Sequence, residues 1–123
     1  MVKGIGVDIL EIERVRKSIE SLGNEFLDRV FTQEEIRYCR SKHDMVQHFA
    51  ARFAAKEAVS KALATGWSGD FVWKDVEVMN TLLGQPQITL YGRLKEALVD
   101  AFVFVSLSHS DTHVVAMVVI EGK

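Results

Sequence analysis

Cysteine is nearly absent from this chain of 123 residues, and its scarcity excludes two common kinds of protein. Cys39 is the only cysteine, so no disulfide can form within the chain and no cysteine-based zinc cluster is expected. A lone cysteine is commonly a small apolar residue of the protein interior. We therefore expect Cys39 to pack in the core.

Long apolar runs and a strong charge of one sign are missing as well. No apolar run approaches the roughly 20 residues that a membrane helix needs, and the first residues lack the basic and apolar regions of a signal peptide. The net charge is −2 and the pI is about 6.1, whereas general nucleic-acid binders carry a strongly basic surface. We therefore expect a cytoplasmic protein that binds neither membranes nor nucleic acids.

The residues that are present suit one domain over residues 1–123. Hydrophobic residues make up 48% of the chain and charged residues 26%, which is ordinary for a globular domain of this size. The spacing of apolar residues predicts a strand, then helices, then strands with one further helix between them. This order favours an α+β fold, in which a mostly antiparallel sheet packs against a long central helix and shorter helices.

The bounds of the predicted elements follow from apolar periodicity and from cap and turn residues. In chain order they are a strand over Val2 to Ile9, helices over Glu11 to Leu22 and Asn24 to Val30, a helix from the capping-box pair Thr32 and Glu35 to about Lys42, the central helix over Phe49 to Leu63, strands over Val72 to Met79 and Gln87 to Tyr91, a helix over Gly92 to Phe102, and a hairpin of Val103 to Ser108 with His113 to Ile120. The central helix is expected to end near Thr65 and Gly66, before a loop of turn-forming residues.

Apolar residues lie on both sides of the central helix. Large apolar side chains share one sector and alanines fill most of the opposite one at about 100° per residue, so both sides need cover. Arg52 and Lys56 fall inside the large apolar sector, where a charge without a partner is costly. This arrangement indicates a site that holds a ligand with charge of its own.

A purely structural interpretation of the same helix is equally open. Glu57 and Lys61 have the spacing of an i, i+4 ion pair, which contributes only about a few tenths of a kcal/mol. Arg52 and Lys56 could extend along apolar surface until their charged ends reach water. On that interpretation the helix carries no site.

Asp8 is a second candidate site residue, because of its neighbours in the first strand. Strand alternation places Asp8 on the same face as Gly4 and Gly6. Glycine in a strand often marks the close approach of a ligand or of another backbone, so a carboxylate beside that gap is a plausible metal or substrate ligand. The alternative is that Asp8 caps the helix that follows.

His109 and the serines near it give a weaker signal. His109 is in register with apolar residues at the end of a predicted strand, where histidine is more often a packed core residue than a catalyst. No GxSxG motif surrounds Ser106, Ser108 or Ser110, so a serine nucleophile is not expected. Phosphate-binding loops and dinucleotide fingerprints are also absent from the sequence.

Four segments in order resemble the holo-acyl-carrier-protein synthase family of 4′-phosphopantetheinyl transferases. They read GIGVDILEIERV, RFAAKEAVSKAL, WKDVEV followed by GQP, and SLSHSDTHVVAMVV, and together they extend over nearly the whole chain. The resemblance implies the fold of that family. It also implies transfer of phosphopantetheine from coenzyme A to a serine of apo acyl carrier protein, with release of adenosine 3′,5′-bisphosphate, in fatty acid biosynthesis and with Mg²⁺ as cofactor.

The resemblance assigns roles to charged residues of the first strand and the central helix. The aspartate of the family's GxD motif falls on Asp8 and the glutamate of its KEA motif on Glu57, which implies that both carboxylates bind the metal. Lys61 matches a lysine that contacts the phosphates, so Asp8, Glu57 and Lys61 are the implied catalytic residues. Lys56 matches the lysine before the glutamate, with a supporting or a substrate-facing role.

The resemblance also implies a nucleotide subsite. Arg52 and His109 match positions at the 3′-phosphate and adenosine end of coenzyme A, while Gly84 and Pro86 match a GxP turn beside the nucleotide. The small members of the family are homotrimers with sites between subunits, so the resemblance implies that neighbouring chains complete each site.

Contact with the carrier protein is implied for the first helix. Arg14 matches an arginine that meets the acidic helix of acyl carrier protein, and Arg16 and Lys17 lie close to it in the sequence. A solvated charged face is the more common explanation of such a cluster.

Two departures from the family pattern limit the resemblance. Larger members of the superfamily carry a third carboxylate two residues after the aspartate, but Leu10 stands there, so water or substrate must supply that ligand. The glycine-rich loop after the central helix reads ATGWSGDF, which leaves the roles of Trp67 and Ser68 open.

Two other functions are consistent with the same residues. A Mg²⁺-dependent phosphohydrolase of a nucleotide diphosphate would use two carboxylates, a lysine and an arginine equally well. A noncatalytic module that binds acyl carrier protein would use the basic first helix, with the carboxylates acting only as caps.

Overall fold

The computed structural model describes residues 1–63, 69 and 71–123 of the chain. Its elements, in order, are strand β1 (Val2–Glu11), helices α1 (Ile12–Leu22), α2 (Asn24–Val30), α3 (Gln33–Arg40) and α4 (Met45–Leu63), a 3₁₀ helix (Trp73–Asp75), strands β2 (Val76–Asn80) and β3 (Pro86–Leu90), helix α5 (Gly92–Ala97), and strands β4 (Ala101–His109) and β5 (His113–Gly122). The predicted helix end near Thr65 and Gly66, and the loop with Trp67 and Ser68, lie outside the described residues.

The strands form two separate antiparallel sheets. One sheet has three strands in the order β1-β5-β4, and the other consists of β2 and β3. Helix α4 packs against β1 and β5 of the larger sheet and also contacts β2 of the smaller one. The predicted α+β fold with antiparallel pairing around a long central helix is confirmed. Among the helices that the structure describes, none is long and apolar enough to cross a membrane.

The backbones of β1 and α4 approach each other closely at two glycines. A Cβ atom added at Gly4 would overlap the carbonyl oxygen of Ala62, and one added at Gly6 would overlap that of Ala58 and lie 2.8 Å from the Ala62 nitrogen. Only glycine fits at such distances, and only small residues on the helix allow the approach. The close approach predicted from the glycines of the first strand is therefore confirmed, and the partner is the alanine side of the central helix.

Lys56 lies in the core rather than at the surface. Its side chain is fully buried, and its ammonium lies 2.8 Å from Glu35 Oε1 and donates to the carbonyl oxygens of Trp73, at 3.0 Å, and of Val76. Burial lowers the pKa of Lys56, and the carboxylate of Glu35 acts in the opposite direction. The expectation that Lys56 extends to water is wrong, because three protein oxygens satisfy its charge inside the core.

The ion pair of Lys56 and Glu35 takes the place of a neighbouring strand beside β2. Strand β2 pairs only with β3 in its sheet, so its other edge has free backbone groups. On that edge the Val76 carbonyl accepts from Lys56, and the Val78 N–H donates to Glu35 Oε2 at 2.8 Å. The pair thus satisfies backbone groups that would otherwise be buried without partners, and it fixes the β2–β3 hairpin to α3 and α4.

Glu35 has this role in addition to the predicted capping box. The Thr32 hydroxyl accepts from the Glu35 N–H at 3.2 Å, and the Thr32 N–H donates to Glu35 Oε1 at 2.9 Å, as the sequence pattern predicts. The Thr32 hydroxyl also donates to Glu77 Oε2 at 2.6 Å, while the Tyr91 hydroxyl donates to Glu77 Oε1 at 2.9 Å. Both glutamates are buried, and both are fully engaged.

The predicted strand over Val72 to Met79 is wrong in its first half. A 3₁₀ turn stands there, closed by the Asp75 N–H that donates to the Val72 carbonyl at 3.0 Å, and β2 begins only at Val76. The alternation of apolar and charged residues over this segment predicts a half-exposed strand, but Glu77 is buried with its valine neighbours. Its carboxylate points toward Thr32 and Tyr91, so the charge that indicated an exposed face lies inside.

The predicted helix over Gly92 to Phe102 is too long. Helix α5 ends at Ala97, and Phe102 belongs to β4, where it pairs with Glu121. Strand β4 pairs with β5 over its whole length, so this pairing overrides the helical spacing of the apolar residues. The predicted hairpin of the last two strands is confirmed. Cys39 is buried as expected, and burial raises the pKa of its thiol to about 12.

Candidate active site

Three charged residues meet where β1 passes α4. Asp8 follows Gly6 by two positions on the strand face toward the helix, and only 14% of its side chain is exposed. The Lys61 ammonium donates to Asp8 Oδ1 at 2.9 Å and to the Val7 carbonyl at 3.2 Å. The alternative in which Lys61 forms an i, i+4 pair with Glu57 is wrong, because Lys61 reaches across to the strand instead.

Glu57 lies close enough to Asp8 for the two carboxylates to influence each other. The pKa of Glu57 is raised, first by partial burial and then by the negative charge of Asp8, while Lys61 acts in the opposite direction. The hydrogen bond to Asp8 raises the pKa of Lys61 in turn. A partly buried carboxyl group whose pKa is raised beside a second negative charge is typical of functional sites.

The oxygen atoms of Asp8 and Glu57 fit a magnesium ion. Mg²⁺ is commonly held by one or two carboxylates, with water and substrate phosphate as its other ligands. In the part of the chain that the structure describes, no group of three or more histidine, cysteine or acidic residues gathers into a denser site. Leu10, at the position of the superfamily's third carboxylate, is buried and offers no oxygen, so protein ligands would come from these two residues.

Arg52 is the other charged residue in the large apolar sector of α4. It is only 2% exposed, so the expectation that it extends to water is wrong. Its guanidinium carbon lies 4.3 Å from the centre of the Tyr38 ring, and its Nη2 donates to Asn80 Oδ1 at 2.8 Å. Among the described residues, its Nε is buried without a hydrogen-bond partner, which is costly for a charged donor.

Gly84 and Pro86 lie at the end of the β2–β3 hairpin. Gly84 has φ +87°, a conformation that favours glycine, and Pro86 begins β3 opposite Asn80. Asn80 joins this turn to Arg52, because its Nδ2 donates to the Gly84 carbonyl at 3.0 Å.

His109 lies near the N-terminal end of α4. It is exposed at the end of β4 and lines a cavity of about 440 Å³ with Arg16, His43, Asp111 and the first residues of α4. Arg16 reaches this cavity from α1, where it also pairs with Glu13 at 3.2 Å. The sequence suggested His109 as a packed core residue, but the side chain is accessible.

The predicted site residues fall into separate groups within one chain. Asp8, Glu57 and Lys61 form the first group, and Arg52 with the Gly84 turn forms the second. His109 with Arg16 forms the third, while Arg14 and Lys17 are exposed on α1. Sequence reasoning missed Asn80 and Tyr38, since neither residue belongs to a motif or to a charge pattern.

Comparison with known proteins identifies the class to which this fold and site belong. A family model described as the 4′-phosphopantetheinyl transferase superfamily matches residues 4–118, so the chain belongs to that superfamily. Within it, the chain is 48% identical to the holo-[acyl-carrier-protein] synthase of Geobacter sp. strain M21, over 98% of this chain and 99% of that protein.

Solved structures agree with this assignment. Holo-[acyl-carrier-protein] synthase from Neisseria meningitidis superposes with a TM-score of 0.87 at 31% identity, covering 98% of this chain and 99% of that one. The synthase from Bacillus anthracis, in complex with CoA (3′,5′-ADP), superposes with a TM-score of 0.83 at 34% identity, covering 100% and 99%. The resemblance found in the sequence motifs and the fold it implies are confirmed.

Proposed function

We propose that this chain transfers 4′-phosphopantetheine from coenzyme A to a serine of apo acyl carrier protein and releases adenosine 3′,5′-bisphosphate, as a step that supports fatty acid biosynthesis. The observation that carries the proposal is the meeting of Asp8, Glu57 and Lys61 beside the glycines of β1. Membership of the transferase superfamily and the coenzyme A complex of a similar synthase support it.

Asp8 and Glu57 would hold Mg²⁺ through their carboxylate oxygens. The bound ion would neutralise charge on the coenzyme A pyrophosphate as the phosphoanhydride bond breaks. The raised pKa of Glu57 is consistent with this role, because a carboxylate held near a second carboxylate gains from a shared cation.

Lys61 and Glu57 would act on the reacting groups themselves. The Lys61 side chain is 54% exposed beside Asp8, so its ammonium can contact a phosphate oxygen as a point charge. Glu57 would accept the proton of the carrier serine, directly or through a water. A serine hydroxyl is a poor nucleophile unless a positioned base takes that proton.

The nucleotide end of coenzyme A would be bound by the second and third groups. Arg52 is almost fully buried, so it would favour a phosphate group through its positive charge, with Gly84 and Pro86 at the adjacent turn and His109 facing the cavity at the N-terminal end of α4. The resemblance left a supporting and a substrate-facing role open for Lys56, and its contacts favour the supporting role. Its three oxygen partners fix α4 against the β2–β3 hairpin and leave it no surface for a ligand.

Acyl carrier protein would contact the basic face of α1. Replacing Arg14 by Glu is expected to weaken carrier binding by roughly tenfold and to leave coenzyme A affinity unchanged, because Arg14 is exposed on α1 and is not among the residues proposed to bind coenzyme A. Arg16 and Lys17 are expected to contribute less; Arg16 is already paired with Glu13. Surface plasmon resonance at two salt concentrations measures the effect, and rising salt should slow association.

Arg29→Glu is the matched control for Arg14→Glu. Arg29 is an exposed arginine of α2 that pairs only with the exposed Glu25, so its reversal changes the net charge equally. Equal loss of carrier affinity in both variants would contradict a specific contact at Arg14, and parallel loss of coenzyme A affinity would indicate a folding defect.

We also infer that the chain assembles, as a homotrimer with shared sites. The face of the larger sheet that points away from α4 is apolar and exposed. Its large apolar residues are between 46% and 67% exposed: Ile5, Val7, Ile9, Phe102, Phe104 and Met117. These residues adjoin one another across the β1-β5-β4 order, for example through the pairing of Val7 with Met117. A continuous apolar face of this kind is typical of an interface.

Shared sites predict complementation between inactive chains. An Asp8→Ala chain and a His109→Ala chain, each nearly inactive, should regain part of the wild-type rate when they are refolded together, because mixed assemblies then contain some sites with both residues intact. Asp8→Ala with Glu57→Ala is the control and should regain nothing, since those residues belong to one group. No recovery in the first mixture would contradict the shared site.

The experiment that tests the proposed function is an intact mass spectrum of apo acyl carrier protein after incubation with coenzyme A, Mg²⁺ and this chain. The expected result is a mass increase equal to one phosphopantetheine, with an equal amount of adenosine 3′,5′-bisphosphate. Nucleotide release without any change of the carrier would favour the phosphohydrolase. Binding of the carrier without any turnover of coenzyme A would favour the noncatalytic module.

A further inference from the structure

Asn80 uses both halves of its side-chain amide to join two parts of the candidate nucleotide subsite. Its Oδ1 accepts a hydrogen bond from Arg52 Nη2 at 2.8 Å, and its Nδ2 donates to the Gly84 carbonyl at 3.0 Å. One residue therefore links the middle of helix α4 to the turn between β2 and β3. Among the ordinary side chains of this size, only an amide can accept and donate in this way.

The bond to Asn80 orients the Arg52 guanidinium. In the described part of the chain, this is the one hydrogen bond that the Arg52 side chain donates. Its guanidinium carbon lies 4.3 Å from the centre of the Tyr38 ring. A stacked guanidinium can still rotate in its own plane. The bond at Nη2 opposes that rotation and so fixes the position of the guanidinium charge.

The bond to Gly84 closes the turn from the inside. The turn has its own bonds, in which the Gly84 N–H donates to the Thr81 carbonyl at 2.8 Å and the Gln85 N–H donates to the Thr81 hydroxyl at 3.2 Å. Leu82 and Leu83, in the middle of the turn, are fully exposed and do not anchor the turn. Asn80 is thus the residue that ties the turn to the body of the protein through α4.

We propose that Asn80 is a positioning residue, which couples Arg52 to the Gly84 turn so that the nucleotide end of coenzyme A meets both in a fixed geometry. The inference rests on the proposed function. Asn80 touches neither the reacting phosphorus nor the carrier serine in this scheme, so its loss should affect nucleotide binding far more than the chemical step.

Asn80→Asp separates the two bonds. A carboxylate still accepts from Arg52, but it cannot donate to the Gly84 carbonyl and repels it instead. Asn24→Asp is the matched control, because Asn24 also accepts from an arginine, Arg40 Nη2 at 3.0 Å, on an exposed surface. Asn80→Ser removes the amide without adding charge, and it serves in place of Asn80→Asp if that variant does not fold.

Two measurements on the full chain test the positioning role of Asn80. Hydrogen exchange of residues 81–86 without substrate should be faster by roughly three- to tenfold in Asn80→Asp than in the wild type. The KM for coenzyme A and the Kd for adenosine 3′,5′-bisphosphate should rise by a similar factor, with kcat within about twofold of wild type. Asn24→Asp should match the wild type throughout.

Failure of the inference differs from failure of the proposed function. A wild-type chain that transfers no phosphopantetheine would overturn the function and, with it, the role of Asn80 in binding. An active wild type with unchanged KM and Kd in Asn80→Asp would overturn the inference alone. Equal changes in kcat and KM, or the same changes in Asn24→Asp, would also overturn it.

Discussion

Replacing Glu57 by Gln is expected to lower kcat by roughly two to four orders of magnitude. Glutamine keeps the shape of the side chain but cannot accept the proton of the carrier serine, and it is a weaker ligand for Mg²⁺. The stability of the fold should not fall, because the substitution removes a half-buried charge whose pKa is raised by burial and by Asp8. A large loss of rate with an unchanged melting temperature is the signature of a catalytic role.

The control for Glu57→Gln is Glu34→Gln. Glu34 is an exposed residue of α3 that pairs with Arg37 on the surface, so its neutralisation should leave kcat unchanged and alter stability by less than about 1 kcal/mol. Near-wild-type kinetics in Glu57→Gln, measured over a range of Mg²⁺ concentrations, would contradict its assignment.

Replacing Gly6 by Ala is expected to destabilise the chain by about 3 kcal/mol or more. The added Cβ would overlap the Ala58 carbonyl oxygen and lie 2.8 Å from the Ala62 nitrogen, and both are backbone atoms that cannot rotate away. Strand and helix must then separate, which also moves Asp8 away from Glu57. We therefore expect the remaining folded protein to be nearly inactive. Urea unfolding with parallel activity measurements tests both effects.

Gly122→Ala provides the comparison for Gly6→Ala. A Cβ at Gly122 would lie 2.7 Å from Lys3 Cε, but that atom belongs to a flexible side chain that can move aside. The cost should stay below about 1 kcal/mol. A Gly6→Ala chain as stable as Gly122→Ala would contradict the account of the contact between β1 and α4.

The contact between β1 and α4 was partly predictable from the sequence. Strand alternation places Asp8 with Gly4 and Gly6, and glycine in a strand predicts a close neighbour. The identity of that neighbour was not predictable, because Lys61 and Asp8 are 53 positions apart. The alanines of the central helix indicated a close approach, but not which of the other elements would make it.

The sequence indicated that the buried charges need partners, but it did not identify those partners. Placing Arg52 and Lys56 among large apolar side chains showed that both need partners. The capping box with Thr32 already explains the presence of Glu35, so no local sequence pattern indicated its ion pair with Lys56. The sequence resemblance left a supporting and a substrate-facing role open for Lys56, and its contacts place it in the interior, where it holds the hairpin of β2 and β3.

The two wrong element assignments share one cause. Glu77 and Phe102 were interpreted from their neighbours along the chain, but partners distant in sequence decide both positions. The Thr32 and Tyr91 hydroxyls donate hydrogen bonds to the buried Glu77 carboxylate, and pairing with β5 draws Phe102 into a strand. Local periodicity contains no information about either contact.

A double-mutant cycle on Asp8 and Glu57 tests the central claim most directly. The claim is that the close contact of β1 and α4 joins these two carboxylates into one functional unit with Lys61. In steady-state assays of carrier modification, the kcat/KM of Asp8→Asn with Glu57→Gln should then lie within about tenfold of the slower single variant, because the first substitution already disables the unit. If the two losses multiply in the double variant, the carboxylates act independently and the proposed site is wrong.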